Sequence, residues 1–230
     1  MKKENKQKTQ GQTSGSKKKY DKPLRQKGGV YFHSGLIIGK KNVFVTDSYL
    51  NILTNALKTI EVKRDIKSLA YVIMPNYFHW MFRLSPKNDD PVKVYSELKG
   101  EVAKEVMNAL QAERKADTAE QLIDLFKENE QVNRSVPEKI IWSFEEKAKE
   151  FEGNQRYKVW QPKTGINLID NDEMLSQKLE IIKKAPVSDR WQLVEKAEKY
   201  PYLYICDELQ NEDNVKEFLP VIQQEILATA

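Results

Sequence analysis

Leu69-Ala70-Tyr71-Val72-Ile73-Met74-Pro75-Asn76-Tyr77-Phe78-His79-Trp80-Met81-Phe82-Arg83-Leu84 is the stretch on which the fold turns. Leu69 to Met74 is an apolar run of strand length, rich in branched and aromatic side chains. Pro75-Asn76 is a turn signal, because proline presets its backbone and asparagine tolerates tight turns. From Tyr77 to Leu84 the chain alternates strictly. Phe78, Trp80, Phe82 and Leu84 fall on one side of a strand, and Tyr77, His79, Met81 and Arg83 on the other. Two such strands joined through Pro-Asn predict a hairpin at the centre of a sheet.

Upstream, Val30 to Ser34 and Leu36 to Ile38 read as strand material. Asp47 is placed to cap a helix whose Leu50, Leu53, Leu57 and Ile60 recur at helical spacing. Downstream, Tyr95, Leu98, Val102, Val106 and Leu110 predict a long helix over 92–114. Residues 117–153 hold two shorter helical patterns with mixed-charge outer faces. Asn171 or Asp172 caps a helix over 173–185 that Pro186 stops. Residues 215–227 look helical but carry Pro220, which predicts a kink or a break. The order β, β, α, β, β, α predicts an α+β fold, an antiparallel sheet with helices packed on one face, plus a helical insert.

The 230 residues suffice for one domain with appendages, and 40% hydrophobic residues suffice for a core. A charged fraction of 31% and a mean hydropathy of −0.68 give a well-solvated surface. No apolar run is long enough to span a membrane. The Lys- and Gln-rich start lacks a signal-peptide core. Cys206, the single cysteine, excludes an internal disulfide and a cysteine zinc cluster. The expected location is the cytoplasm. Residues 1–28 hold ten Lys/Arg against two acids, a net of +8, which leaves −4 on the rest of a chain whose total is +4. Residues 1–29 therefore read as a disordered basic tail suited to phosphate contact, 30–210 as the folded domain with its insert at 117–153, and 211–230 as a C-terminal helical segment.

The run Ala70 to Trp80 resembles the strand pair of the HUH single-tyrosine transposases, the REP-associated group in particular, where Met-Pro-Asn leads into His-hydrophobic-His. Further elements follow in order. Lys158-Val159-Trp160-Gln161 resembles the family's Val-Trp-Gln element. Residues 177–187 resemble its tyrosine helix. Glu198-Lys199-Tyr200-Pro201-Tyr202 resembles its Asp-Tyr-Pro-Tyr close, and Tyr31-Phe32-His33 its first strand. The resemblance covers roughly 30–207 and implies a ferredoxin-like HUH fold.

In that family two histidines on one strand face hold a divalent ion against the scissile phosphate, where it acts as a Lewis acid. A helix-borne tyrosine attacks to give a 5′-phosphotyrosine intermediate. A polar side chain one turn on supplies the third metal ligand. This chain departs at three of the four positions. The first histidine is Tyr77, the second is kept as His79, the tyrosine is Ile181, and the third ligand is Ala185. The resemblance thus implies a degenerate member without the catalytic residues, with its Mg/Mn site lost and no cofactor.

His79 and His33 read as structural histidines. Tyr77 reads as a stacking platform for a base, or as filling for the vacated metal pocket. The alternating Tyr200, Tyr202 and Tyr204 read as packing. For nucleic-acid contact the candidates are Tyr77, Arg83, Lys178, Lys183 and Lys184 in the old cleft, with Lys17, Lys18, Lys19, Arg25 and Lys27 in the tail. The expected function is binding of single-stranded or hairpin DNA, or RNA, without cleavage, as a domesticated regulatory or accessory factor. One alternative is an interaction scaffold, docking a protein partner or a second copy through 117–153 or 211–230. The other is a residual metal-dependent nickase with a rewired site.

Overall fold

The central hairpin forms through the two-residue loop Pro75-Asn76, joining β2 (Ile66–Met74) to β3 (Tyr77–Leu84). The computed structural model describes residues 25–88, 90–125, 136–153, 155–162 and 165–229. Around the hairpin run β1 (Val30–Leu36), α1 (Asp47–Arg64), α2 (Pro91–Leu125), α3 (Val136–Lys149), β4 (Ile166–Ile169), α4 (Asp172–Lys184), β5 (Leu203–Ile205) and α5 (Glu212–Thr229). The sheet order is β4-β1-β3-β2-β5, with every pairing antiparallel. The α+β antiparallel sheet expected from the hairpin is what folds.

The alternation in β3 sends its side chains into two separate cores. Phe78, Trp80, Phe82 and Leu84 pack with Tyr31 and Ile73 against Leu53 and Leu57 of α1, Leu98 and Val102 of α2, and Phe144 of α3. Within this apolar layer the Trp80 indole N–H donates to Ser68 Oγ at 2.9 Å. Ser68 can reach it because a bulge follows, between Ser68 and Ala70. The bulge turns Leu69, Ala70, Val72 and Met74 to the opposite face. There they join Val30, Phe32 and Met81 beneath Leu175, Leu179 and Ile182 of α4 and Val215, Leu219 and Ile222 of α5.

Helices therefore cover both faces of the sheet rather than one. The reason is β1 and β2, which present apolar side chains to each side. The same two-sidedness makes Val30 to Leu36 one strand where the sequence suggested two pieces, closed by a 3₁₀ turn at Ile38–Lys40. Thr46, not Asp47, is the N-cap of α1, and Asp47 Oδ1 instead accepts from the Tyr202 hydroxyl at 2.8 Å. The helix expected over 92–114 continues to Leu125, since nothing after Gly100 breaks it, and absorbs the first of the two insert patterns. Helix α5 passes Pro220 without a break, held by Val215, Leu219 and Ile222 against the sheet. Among the described residues, no helix is long and apolar enough to cross a membrane.

Most of the basic tail, including Lys17, Lys18 and Lys19, lies outside the described residues. Residues 25–29 are tied to the sheet. The Gly28 N–H donates to the Ser85 carbonyl at 3.1 Å, the Gln26 N–H to the Tyr31 hydroxyl at 2.8 Å, and Arg25 pairs with Asp90 at 3.3 Å. Lys27 is exposed.

Candidate nucleic-acid interface

The face of β3 that carries Tyr77 and His79 lies under α4, next to β1. Cross-strand pairing sets Ser34 opposite His79, and Ser34 Oγ and His79 Nδ1 share a hydrogen bond of 2.7 Å. The imidazole stacks on Phe32 with ring centres 5.4 Å apart. Burial, with the nearby Lys178 ammonium second, pushes the His79 pKa down to about 4, so the ring is neutral at pH 7. Lys178 reaches this face from α4, its Nζ 5.4 Å from the centre of the Phe32 ring.

Tyr77 is half-buried. Its ring lies 4.9 Å from His79 and 6.2 Å from Trp191. Burial raises its pKa above the ordinary phenol value, partly offset by the Trp191 indole and the Arg190 charge. The Arg190 guanidinium in turn sits 4.9 Å over Trp191. Phe32, His79, Tyr77, Trp191 and Arg190 thus form a chain of ring contacts ending in a cation. Trp191 and Arg190 were not singled out from the sequence.

Ile181 and Ala185, which the resemblance sets at the tyrosine and third-ligand positions, sit differently. Ile181 is 38% exposed on the outer side of α4, while Ala185 is buried in the core. The remaining α4 lysines point elsewhere than His79. Lys184 pairs with Glu180 one turn back at 2.5 Å. Lys183 and Lys184 line a groove of about 850 Å³ between α4 and α5, shared with Lys216, Glu173 and Glu180. Arg83, at the far end of β3, donates to Glu225 of α5 at 2.8 Å and to the Gly28 carbonyl at 3.4 Å. Its charge is already met within the fold. Of the expected contacts, the structure therefore brings Tyr77 and Lys178 together about His79, and disperses Arg83, Lys183 and Lys184.

His33 faces the opposite side of the sheet. It is fully buried, stacks on Tyr95 at 4.3 Å, and bonds the Gly165 carbonyl through Nδ1 at 3.2 Å. Tyr200 and Tyr202 are engaged in packing, donating to the Ile73 carbonyl at 2.7 Å and to Asp47, and Tyr204 stacks on Tyr71 at 5.2 Å. Among the described residues, no three His, Cys, Asp or Glu side chains gather in one cluster.

No protein-family model and no curated protein matches the chain. Solved structures do. One is a REP-associated tyrosine transposase bound to a REP hairpin, at 16% sequence identity and a TM-score of 0.51 over 80% of each chain. At that identity the likeness is one of fold: the chain carries an α+β fold similar to that of a tyrosine transposase.

Proposed function

We propose that this chain is a transposase-like protein that binds structured single-stranded nucleic acid, hairpin DNA or RNA, without cleaving it, as a regulatory or accessory factor. The observation that carries this reading is the ammonium of Lys178 set over the Phe32 ring, beside a lone, neutral His79, on one sheet face.

The donor set on that face does not fit a divalent ion. Mg²⁺ and Mn²⁺ take several oxygen or nitrogen ligands. Here His79 has Nδ1 committed to Ser34, Tyr77 is a neutral phenol, and Ile181 and Ala185 have no donor atoms. Lys178 would add repulsion to any cation placed beside His79. The same lysine suits a phosphate as a point charge, and the half-buried Tyr77 and Trp191 rings suit a base. The likeness to a hairpin-bound transposase supports the ligand class.

The test is one gel experiment. Labelled hairpin DNA and RNA are incubated with the protein, with and without Mn²⁺, and resolved on native and denaturing gels. The expected result is a salt-dependent native shift, weakened several-fold by Lys178→Gln, with no adduct that survives denaturation. A denaturant-resistant adduct would overturn the non-cleaving reading. No shift with either nucleic acid would overturn the binding reading.

A further inference from the structure

A second groove lies across the sheet from His79, between α2 and the segment 155–162, with a volume of about 740 Å³. Among the described residues, its lining holds four cations, Lys99, Lys104, Arg156 and Lys158, and no carboxylate. The folded part of the chain has more acids than bases, so a carboxylate-free groove is a local reversal of charge. Lys104 and Arg156 lean outward to Glu105 at 4.0 Å and Glu145 at 3.5 Å. Lys99 and Lys158 lie over rings. Lys99 Nζ lies 5.7 Å from the Trp160 ring centre and 5.9 Å from that of Tyr95, and Lys158 Nζ lies 5.0 Å from that of Phe151.

Two like charges drawn together in a partly buried place repel each other. Burial first, and Lys158 second, push the Lys99 pKa down to about 8. An anion between the two amines would relieve both effects. Behind Tyr95, His33 is pushed down to about 3 by burial and is therefore neutral, so it adds no third charge. Gly100 is the other irregular feature. It sits inside α2, where glycine disfavours the helix, and a Cβ built there meets nothing within 4 Å. Packing does not demand a glycine, but any longer side chain would project into the groove. Tyr157 is half-buried on the opposite wall, its hydroxyl accepting from Gln111 at 3.3 Å, which fixes the ring.

We propose that this groove binds a nucleotide unit, its phosphate between Lys99 and Lys158 and its base against Tyr157. A bare inorganic anion would need neither the ring nor the length of the groove. Alternating cations and rings are what a phosphodiester strand requires, and the volume falls within roughly 300–1,000 Å³, the range of sites for small organic ligands. The ligand is either a free nucleotide or one unit of a single strand. The site is separate from the α4 face and stands or falls apart from it.

The experiment measures fluorescence anisotropy of a labelled six-residue oligothymidylate with the full chain at about 150 mM salt. Competition uses thymidine monophosphate and inorganic phosphate. Gly100→Leu fills the groove and leaves every charge in place. Lys99→Gln/Lys158→Gln removes the anion site and leaves the shape. Each variant is expected to weaken oligonucleotide binding at least about tenfold, and ultraviolet cross-linking is expected to fall on the peptide spanning 155–162. Gly100→Leu is expected to keep its helical circular dichroism, since leucine favours a helix where glycine does not. Competition by the mononucleotide supports a free-nucleotide ligand, and competition only by longer strands supports a strand. Inorganic phosphate competing as well as the mononucleotide would overturn the base contact. Binding unchanged in both variants, with cross-links elsewhere, would overturn the site. Lys178→Gln serves as the comparison: its effect on hairpin binding reports the α4 face alone.

Discussion

Gly35 on β1 sits directly across from Phe78 on β3. A methyl group added at Gly35 would lie 2.1 Å from Phe78 Cε1 and 2.7 Å from Cζ. The ring has no room to retreat. It is fully buried, edge-on to Trp160 at 5.5 Å and to His33 at 5.8 Å. Gly35→Ala is therefore expected to destabilise the protein by about 3 kcal/mol, the upper range for overpacking a core. Urea unfolding checks this, and pairing it with Phe78→Leu should restore part of the loss. A cost below about 1 kcal/mol would mean the ring moves more freely than its neighbours allow. Single positions also decide how much of the site could be read from sequence. His79 and Tyr77 were legible because strict alternation in β3 assigns them one face. Lys178 was legible as a cation on α4, but not as the one that reaches Phe32. Lys99 and Lys158 were not legible as a pair, because 58 residues separate them and only the fold brings α2 beside the segment after α3. The clue was the alternation Arg156-Tyr157-Lys158, basic and aromatic by turns.

At the scale of elements, α4 carries Lys178 and so controls how that charge meets the sheet. Its start is fixed by Asn171, whose side-chain oxygen accepts from the Met174 N–H at 2.8 Å. Asn171→Ala is expected to cost about 1 kcal/mol, the usual loss for an N-cap, and to lower Tm by roughly 3 °C. Thermal unfolding followed by circular dichroism checks it, and Asn171→Ser, which can cap equally well, should restore the wild-type value. Elements with local signals were the ones the sequence revealed. The cap at Asn171 and the stop at Pro186 bracket α4, and Pro75-Asn76 brackets the hairpin. Strand β4 had no such signal, and the alternation of Tyr200, Tyr202 and Tyr204 did not fix where β5 lies. They are four and three residues long and pair along the open edges of β1 and β2. Helix α5 shows the opposite override. Pro220 removes a donor within the helix, yet burial of Val215, Leu219 and Ile222 holds the segment together.

For the whole molecule, the two histidines set a common pH response although they lie on opposite faces of the sheet. His33 is pushed down to about 3 and His79 to about 4, in both cases chiefly by burial, from an ordinary value of 6.5. His33 is enclosed by Tyr95, Phe78 and the Gly165 carbonyl, and the Lys99 charge also disfavours its protonation. His79 is enclosed by Ser34, Phe32 and Tyr77, and the Lys178 charge acts on it in the same way. Below pH 6.5 the unfolded chain takes up protons at both rings while the folded chain refuses them until about pH 4 and then 3. Stability is thus full above pH 6.5 and falls as the pH drops through that window. Between pH 7 and pH 5 the expected loss is about 2 kcal/mol for each histidine. Ordinary carboxylates titrate mostly below this range, and Glu208, held down to about 2 by Lys67, lies further below it. Urea midpoints at the two pH values measure the loss, and a His33→Gln/His79→Gln protein, less stable throughout, should lose nearly all of the pH dependence. A wild-type loss under about 1 kcal/mol would show that water reaches the rings and that neither core is sealed. A full loss would place both cores, including the layer beneath α4, within one cooperative unit that unfolds together.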